Sequence, residues 1–313
     1  MALVFSVPGK AFLAGEYLAL DGGLTLLSMT EPRFELRVSE GHGEATGIPE
    51  GSPASKFMTR HQDFFSNLKL EFQDPHQGAG GWGASTAQYL SVFALYSWKQ
   101  ASNLEAEAEL DTKVLLDEYR KDAWNGQGRA PSGADMIGQL KGGFTFFEKN
   151  AGMITQKAWP FENYDGFLMK TRVKVATHEH LKNLTETDFS ALAPLMEKIK
   201  EAWATSNADL FGESITAYGK ALAKQGKVAE STLDILHNLF WLNGVRGAKG
   251  CGAMGADVIF VLIEKNVRRF FEIWAQEHEF EIVNVREAST RGLELKVESP
   301  VPLKGSELPG ASL

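Results

Sequence analysis

Residues 78–87 of the chain read GAGGWGASTA and lead directly into a segment with helical periodicity. In that segment Leu90, Phe93 and Trp98 recur at the spacing of one helix face, which predicts an amphipathic helix over residues 85–101. A glycine-rich loop that enters a helix exposes backbone N–H groups and the positive end of the helix dipole. The stretch therefore predicts a site for an anion such as phosphate.

The same glycines also match the dinucleotide-binding pattern G-x-G-x-x-G at residues 78–83. That interpretation needs the first glycine at the end of a buried strand and an acidic residue about 20 positions later. Here residues 74–77, DPHQ, separate the glycines from the nearest strand candidate, and residues 103–109 are polar and helical in composition. The residues around the glycines therefore favour a phosphate-binding loop that does not belong to a dinucleotide-binding fold.

Upstream of this loop the periodicity indicates β-structure. Residues 33–38 and 68–72 alternate apolar and polar side chains as half-buried strands do, and residues 3–7 and 11–13 are short apolar runs around a predicted turn at 8–10. Residues 41–55 are rich in Gly, Pro, Glu and Ser, which predicts a surface loop.

Downstream of the loop the pattern alternates helices and strands. Helices are predicted over 105–123, 136–140, 189–206, 210–225, 228–242 and 267–277, strands over 144–148, 167–176, 258–264, 280–285 and 293–297, and a Gly-rich loop over 244–255. This mixed order predicts an α+β fold. The length of 313 residues suggests two lobes, and the turn at Asp165-Gly166 divides them into residues 1–165 and 166–313.

Composition excludes several classes of protein. The chain has 32 Lys and Arg against 40 Asp and Glu, a net charge of −8, which argues against nucleic acid as the partner. Its apolar N-terminus lacks a basic leader, and its most apolar stretch, residues 256–263, is too short to span a bilayer. The single Cys251 excludes an internal disulfide. We expect a cytoplasmic protein with no membrane anchor.

Four stretches together resemble the signatures of the GHMP kinases, a family of small-molecule kinases that includes galactokinases, homoserine kinases, mevalonate kinases and phosphomevalonate kinases. Residues 8–17, PGKAFLAGEY, resemble the first signature, residues 81–87 the second, and residues 249–257, KGCGAMGAD, the third. Residues 131–135, PSGAD, followed by a glycine pair, resemble a mevalonate-kinase stretch. All occur in the family's order and at its spacing.

This resemblance implies a two-lobed GHMP-kinase-like fold. The N-terminal lobe is expected to have a β-α-β core like that of ribosomal protein S5, and the C-terminal lobe to be ferredoxin-like, with the active site between them. The ending Ala14-Gly15-Glu16-Tyr17, together with Arg33 and Asp257, resembles phosphomevalonate kinases more than mevalonate kinases, whereas Pro131-Ser132 and the short length point to mevalonate kinase. We favour phosphomevalonate kinase.

The resemblance also implies roles for individual residues. Lys10 and Asp135 would flank the acceptor hydroxyl as catalytic residues. Residues implied to bind the ATP phosphates are Gly78, Gly80, Gly81, Gly83, Ala84, Ser85 and Thr86, and residues implied to line the acceptor are Glu16, Tyr17, Ser132, Gly133, Lys174, Gly252 and Ala253. Taken singly, Lys10 is typical of a solvated turn and Asp135 of a helix N-cap.

Some positions depart from the family pattern. Ala84 replaces a serine of the second signature, and Met254 and Ala256 replace glycines of the third. The magnesium-binding Glu of mevalonate kinases corresponds to Trp124, two residues after Asp122. Ser85 is then the remaining candidate ligand for Mg²⁺.

Other reactive residue types indicate no additional chemistry. The seven histidines never show the H-x-x-x-H spacing of a helical metal site, so no transition-metal site is predicted. Cys251 has no evident His–Asp partnership and is interpreted as a small packing residue rather than a nucleophile.

The sequence thus predicts an ATP-dependent kinase that uses ATP and Mg²⁺ and phosphorylates a small anionic isoprenoid precursor, preferably phosphomevalonate. Mevalonate is the alternative acceptor. Two other hypotheses remain open: an ATP-dependent diphosphomevalonate decarboxylase, and a non-catalytic ligand-binding protein with the same fold. A monomer or a homodimer is expected.

Overall fold

The chain begins with a long antiparallel pair of strands, β1 (Ala2–Ala14) and β2 (Leu24–Glu40). The computed structural model describes residues 2–42, 45–100, 110–171 and 189–298. The turn predicted at residues 8–10 is wrong, because these residues lie inside β1. Pairing with β2 instead shifts register between Val7 and Gly9. This irregularity accommodates Pro8, which has no N–H to donate, without reversing the chain.

The first sheet is completed by β3 (Leu68–Gln73), β4 (Phe144–Glu148), β5 (Met153–Lys157) and β10 (Glu294–Glu298). The strand order is β10-β1-β2-β4-β5, and β3 also pairs with β2. Although β10 comes late in the chain, it pairs with β1. Residues 294–298 therefore lie in the N-terminal sheet, beyond the division drawn at residue 165.

Five helices accompany this sheet in the described residues. They are α1 (Pro53–Arg60), α2 (Gln62–Phe65), α3 (Ala84–Gln100), α4 (Thr112–Ala123) and α5 (Ala134–Lys141). The helix predicted over 85–101 is confirmed as α3. Of the helix predicted over 105–123, residues 105–109 lie outside the described residues, and residues 112–123 are confirmed as α4. This helix starts at Thr112 because the Asp111 carboxylate caps the N–H groups of Lys113 and Val114.

The second sheet consists of β6 (Tyr164–Lys170), β7 (Val245–Cys251), β8 (Val258–Glu264) and β9 (Ile282–Asn284) in the antiparallel order β7-β8-β6-β9. Residues 245–251 were predicted to belong to a Gly-rich loop, and this is wrong. The glycines allow a helix to approach the strand closely. A Cβ on Gly247 would collide with the backbone of Gly212, and one on Gly219 would lie 2.8 Å from the Cβ of Lys249.

The helices of the second lobe are α6 (Ala193–Ala204), α7 (Ala208–Lys224), α8 (Glu230–Leu239) and α9 (Arg268–Glu277). The four predicted helices are present. Helices α6, α8 and α9 are shorter than predicted, whereas α7 begins two residues earlier and ends one residue earlier than the predicted 210–225. Helix α7 packs on β7 through the glycine contacts described above. Trp203 of α6 packs against Phe144 of the first sheet, with ring centroids 5.2 Å apart.

One hydrophobic core therefore continues from lobe to lobe. Its buried members include Phe144 from the first sheet, Trp203 from α6, and Leu168 and Phe260 from the second sheet. The predicted two-lobed α+β architecture is confirmed. Throughout the described part of the chain, no helix combines the length and hydropathy that a membrane span requires.

Candidate active site

Lys10 and Asp135 meet at the surface of the first lobe. Lys10 projects from β1, Asp135 from the first turn of α5, and the Lys10 Nζ lies 2.8 Å from the Asp135 Oδ2. Lys10 is only 6% exposed, so it is not a solvated turn lysine. Asp135 is not the N-cap of α5 either, because Gly133 holds that position with a left-handed φ of 76°. The two simple interpretations of these residues therefore do not describe the structure.

The glycine-rich loop places the start of α3 beside this ion pair. The Lys10 N–H donates to the Trp82 carbonyl over 3.0 Å. Gly83 has a φ of 85°, and a Cβ at this position would lie 2.7 Å from the Cγ of Lys10. Only glycine combines this backbone conformation with so close an approach. Helix α3, with the N–H groups of its first turn, therefore begins next to the Lys10 side chain.

The two hydroxyl groups at the start of α3 differ in their surroundings. Ser85 is exposed. Thr86 is buried, and its hydroxyl lies 2.6 Å from the Gln139 Oε1 and 3.0 Å from the Gly83 carbonyl. Thr86 therefore stabilises the loop internally, whereas Ser85 is available to a ligand.

The first part of the loop, residues 74–80, is more open. Asp74 accepts hydrogen bonds from the N–H groups of His76 and Gly78, which shapes the turn. A Cβ on Gly78 would meet nothing within 4 Å, and Gly80 is half-buried. Gly78 thus lies on the solvent side of the loop, away from the tight contacts of Gly83.

Trp82 is held by a stack with His76. The two rings are nearly parallel, at an angle of 4°, with centroids 4.7 Å apart, and the Lys170 Nζ lies 5.6 Å from the Trp82 ring. The His76 Nε2 donates to the Pro32 carbonyl over 3.2 Å. Burial lowers the pKa of His76, and the nearby Lys170 ammonium lowers it further. Asp74 and the hydrogen bond to the Pro32 carbonyl raise this pKa but do not offset the effect of burial. His76 is therefore neutral at neutral pH.

Glu16 and Tyr17 connect the first lobe to the second. The Glu16 carboxylate pairs with Lys249 of β7, and the Glu16 carbonyl accepts from the Tyr218 hydroxyl over 2.7 Å. The Tyr17 hydroxyl accepts from the Met254 N–H over 3.0 Å. Both residues are implied to line the acceptor. In the structure Glu16 holds β7, and Tyr17 holds the loop that follows it, residues 252–257, which we call the third loop.

The pKa values at this junction reflect its burial. Burial disfavours the charged form of Lys249, but the pKa of its ammonium is raised because the Cys251 sulfur, which is negative once it ionises, and the Glu16 carboxylate lie beside it. Burial raises the pKa of the Cys251 thiol to about 11. Lys249 is therefore charged and Cys251 neutral at neutral pH, as expected of a packing cysteine.

The glycine-rich loop before α3 and the third loop both pack against Asp257. A Cβ on Gly81 would lie 2.6 Å from the Asp257 Cβ, and a Cβ on Gly252 would lie 2.7 Å from its Oδ2. Asp257 itself is buried. Because Gly81 and Gly252 have no side chains, both loops can pack against the same carboxylate. The third loop therefore lies beside Gly81 of the loop before α3.

Two other predicted acceptor residues, Ser132 and Gly133, immediately precede α5, the helix that bears Asp135. Ser132 accepts the Ala134 N–H over 3.2 Å, which shapes the entry to α5. A Cβ on Gly133 would collide with the Leu116 side chain of α4. Ala253 lies in the short helical turn Ala253–Gly255 of the third loop. Lys174 lies outside the described residues.

The described residues do not fit a protein-held Mg²⁺ site. Asp122 is engaged by Arg60, whose Nε lies 2.9 Å from Oδ1, and by the Tyr89 hydroxyl 3.0 Å from Oδ2. Trp124 donates its indole N–H to the Gln127 carbonyl. In the part of the chain that the structure describes, no three His, Cys, Asp or Glu side chains cluster to hold a metal. Ser85 alone would be a weak ligand.

Gln139 is a residue of this site that the sequence analysis missed. It lies one helical turn after Asp135 on α5, is fully buried, and is hydrogen-bonded to Pro8 of β1 and to Gly83 and Thr86 at the start of α3. A polar residue four positions after the proposed catalytic carboxylate lies on the same helix face, and this spacing is the signal in the sequence that could have revealed it.

Comparison with known proteins identifies the fold. The mevalonate kinase of Methanococcus jannaschii superposes with a TM-score of 0.67 and 16% sequence identity, over 90% of this chain and 96% of that one. The galactokinase of Lactococcus lactis complexed with galactose gives a TM-score of 0.70 and 13% identity, over 94% and 95%. The chain has the GHMP-kinase fold.

A third structure with the GHMP-kinase fold is the Streptococcus pneumoniae phosphomevalonate kinase in complex with phosphomevalonate and AMPPNP, with a TM-score of 0.68 and 15% identity over 90% of this chain and 99% of that one. No protein-family model and no curated protein sequence matches the chain. At identities of 13–16%, these similarities establish the GHMP-kinase fold and not the substrate.

Proposed function

We propose that the chain is an ATP-dependent kinase that transfers the γ-phosphoryl group of ATP to a small anionic isoprenoid precursor, with phosphomevalonate as the preferred acceptor. The observation that carries the proposal is the contact of 2.8 Å between Lys10 and Asp135 beside the N-terminus of α3. The GHMP-kinase fold and the four signature stretches support it. The proposed enzyme acts in the cytoplasm.

Lys10 and Asp135 supply the groups that phosphoryl transfer needs. With phosphomevalonate as the acceptor, an oxygen of its phosphate group attacks the γ-phosphorus and the bond to the ADP oxygen breaks; Asp135 orients that oxygen and takes up its proton when it carries one. With mevalonate, the attacking atom is a hydroxyl oxygen, whose proton passes to Asp135. Lys10 stabilises the negative charge that develops on the transferred phosphoryl oxygens. Because Lys10 is almost fully buried, its charge acts with little screening by water.

The N-terminus of α3 and the loop before it are proposed to hold the ATP phosphates. The N–H groups of the first turn have no partner inside the helix, so they can donate to phosphate oxygens. Ser85 is exposed there and adds a hydroxyl. Thr86 contributes through its backbone, because its side chain is already hydrogen-bonded to Gln139.

The acceptor is proposed to lie between Asp135 and the third loop, near Ser132, Gly133, Gly252 and Ala253. Glu16 and Tyr17 support this surface from behind, because their side chains bind Lys249 and the Met254 N–H. Lys174 is retained as a proposed contact. Mg²⁺ is expected to arrive with ATP, and no step of the proposed mechanism relies on a metal bound by the protein.

Two other functions each have a specific point in their favour. The stretch Pro131-Ser132 and the similar mevalonate kinase structures favour mevalonate as the acceptor. The engagement of Asp122 by Arg60 and Tyr89, with Trp124 beside it, favours a non-catalytic ligand-binding protein. The retained Lys10–Asp135 pair favours catalysis over that second function.

A coupled ADP-release assay tests the proposal. The purified protein would be supplied with ATP and, in separate reactions, mevalonate, 5-phosphomevalonate and 5-diphosphomevalonate, and the products identified by mass spectrometry. We expect ADP release with 5-phosphomevalonate and a product heavier by one phosphoryl group. Carbon dioxide release from 5-diphosphomevalonate would indicate a decarboxylase. Absence of turnover with all three acids would contradict the proposal.

A further inference from the structure

The side chain of Gln139 occupies the junction of three segments of the first lobe. It is fully buried on α5, four residues after Asp135, so the two side chains extend from the same face of the helix. Asp135 contacts Lys10, while Gln139 lies deeper, between Pro8 of β1 and the loop that precedes α3.

Each polar atom of the Gln139 amide has a partner. The Nε2 donates to the Pro8 carbonyl over 2.9 Å and to the Gly83 carbonyl over 3.1 Å, and the Oε1 accepts from the Thr86 hydroxyl over 2.6 Å. The orientation of the amide is determined by these partners, because both carbonyl oxygens can only accept. The flipped amide would place oxygen against oxygen.

These bonds join the three segments that carry the proposed chemistry. Pro8 lies two residues before Lys10 on β1, and Gly83 immediately precedes α3, whose N–H groups are proposed to hold phosphate. Gln139 itself belongs to the helix that bears Asp135. Buried amide hydrogen bonds are costly to break, because each orphaned group keeps its desolvation penalty.

We propose that Gln139 is a positioning residue that holds Lys10, the phosphate loop and Asp135 in one rigid arrangement. The expected effect of Gln139 on catalysis rests on the proposed kinase function. Its expected effect on the positions of these segments rests on the geometry alone. Misplacement of reacting groups by about 1 Å is enough to cost roughly 100-fold in rate.

The central variant is Gln139→Met, which retains the length of the side chain and removes all three hydrogen bonds. We expect kcat with ATP and 5-phosphomevalonate to fall by about 10- to 100-fold, while KM for ATP changes by less than about threefold. We expect the ATP phosphates to bind the same N–H groups in this variant. The loop, however, no longer holds the γ-phosphate at a fixed distance and orientation relative to Asp135. A stable variant with unchanged kcat would overturn the inference.

The matched control is Gln156→Met. Gln156 also donates its amide to backbone carbonyls of the same helix region, those of Lys141 and Gly142 at the opposite end of α5, and it is exposed. We expect kcat of this variant to equal that of the unaltered protein. An equal loss in both variants would indicate a general weakening of α5 and would overturn a specific role for Gln139.

Hydrogen exchange separates this inference from the proposed function. The Lys10 N–H is bonded to the Trp82 carbonyl, so its exchange reports on the contact between β1 and the loop before α3, and the Ala87 N–H is bonded to the Gly83 carbonyl, so its exchange reports on the first turn of α3. In Gln139→Met we expect their exchange to accelerate at least about tenfold. If it does and the unaltered protein phosphorylates no acceptor, the inference stands and the proposed function fails. Unchanged exchange at both amides overturns the inference.

Thr86 provides a second pair of variants if Gln139→Met does not fold. Thr86→Val removes the hydroxyl at nearly constant volume, whereas Thr86→Ser keeps it. We expect faster exchange of the Lys10 N–H and a lower kcat in Thr86→Val, and recovery of both in Thr86→Ser. Equal behaviour of the two variants would contradict the role of this hydrogen bond.

Discussion

Asp135 is the residue on which the proposed proton transfer depends. Asp135→Asn keeps the shape of the side chain and removes the proton acceptor and the negative charge. Turnover is expected to fall by roughly 10²–10⁴-fold, the range for loss of a positioned general base, with ATP affinity nearly unchanged. Steady-state kinetics and calorimetric titration with ATP measure the two quantities.

Lys10→Met serves as the partner experiment to Asp135→Asn. It should lower turnover as well, because the developing charge on the phosphoryl group loses a nearby cation. Gly133, and not Asp135, is the N-cap of α5, so Asp135→Asn leaves the cap of the helix in place. A rate equal to that of the unaltered protein in Asp135→Asn would exclude the proposed mechanism.

His76 predicts a pH dependence of stability. Burial lowers its pKa below the ordinary 6.5, so the unfolded chain takes up a proton more readily than the folded protein. Stability is therefore expected to decrease as pH falls below about 6.5 and to level off below the folded-state pKa. His76→Phe retains a ring to stack on Trp82 and removes this titration.

Thermal unfolding at about pH 7.5 and about pH 5.5 tests the contribution of His76. The Tm of the unaltered protein should decrease more between the two values than the Tm of His76→Phe. Comparing the change within each protein removes the constant cost of losing the Pro32 hydrogen bond. Equal decreases would show that His76 does not contribute to the acid sensitivity.

The start of α3 is an element whose position depends on Gly83. Gly83→Ala would place a methyl group 2.7 Å from the Lys10 Cγ and 2.9 Å from the Gln139 Nε2, at a positive φ. We expect ATP affinity to fall and stability to decrease by about 1–3 kcal/mol, the cost of a strained backbone and a displaced loop. Calorimetric titration and urea unfolding measure the two effects.

Gly51→Ala is the control for backbone strain. Gly51 has a similar φ of 73°, but a Cβ there would meet nothing within 4 Å. This variant should lose stability through its backbone conformation alone and keep full ATP affinity. If Gly83→Ala and Gly51→Ala bound ATP equally well, the start of α3 would not be the nucleotide site.

The elements of the chain were predicted with unequal success. Helix α3 was predicted almost to its ends, because its apolar period is regular and its loop is rich in glycine. The strands around residues 8–10 and 245–251 were misassigned, because Pro8 and the glycines of β7 are typical of turns and loops. Their actual roles depend on a register shift and on a helix packed against them, which are tertiary features.

Across the whole molecule, the Glu16–Lys249 pair joins the two lobes. Both side chains are buried, Lys249 completely. Glu16→Gln leaves the Lys249 ammonium without a counter-charge in the interior, and we expect a loss of about 3–5 kcal/mol in the free energy of unfolding. Urea denaturation of the full chain measures this loss.

An exposed ion pair of the second lobe is the control for Glu16→Gln. Arg246 and Glu264 pair across neighbouring strands, and the Arg246 side chain is 47% exposed. Because water screens this pair, Glu264→Gln should change the free energy of unfolding by less than about 1 kcal/mol. Similar losses in the two variants would contradict a special role for the buried pair.

Local patterns were enough to predict the α+β class and the amphipathic α3, and short motifs carried the family resemblance from which Lys10 and Asp135 were selected. These features depend on local periodicity and on short glycine-containing motifs. Four contacts became visible only in the folded chain: Lys10 touches Asp135, Glu16 and Tyr17 bind the third signature stretch, Arg60 engages Asp122, and Gln139 joins β1 to the loop before α3. Such contacts link residues distant in the chain, and their partners are determined by packing of the whole fold, which local patterns do not encode.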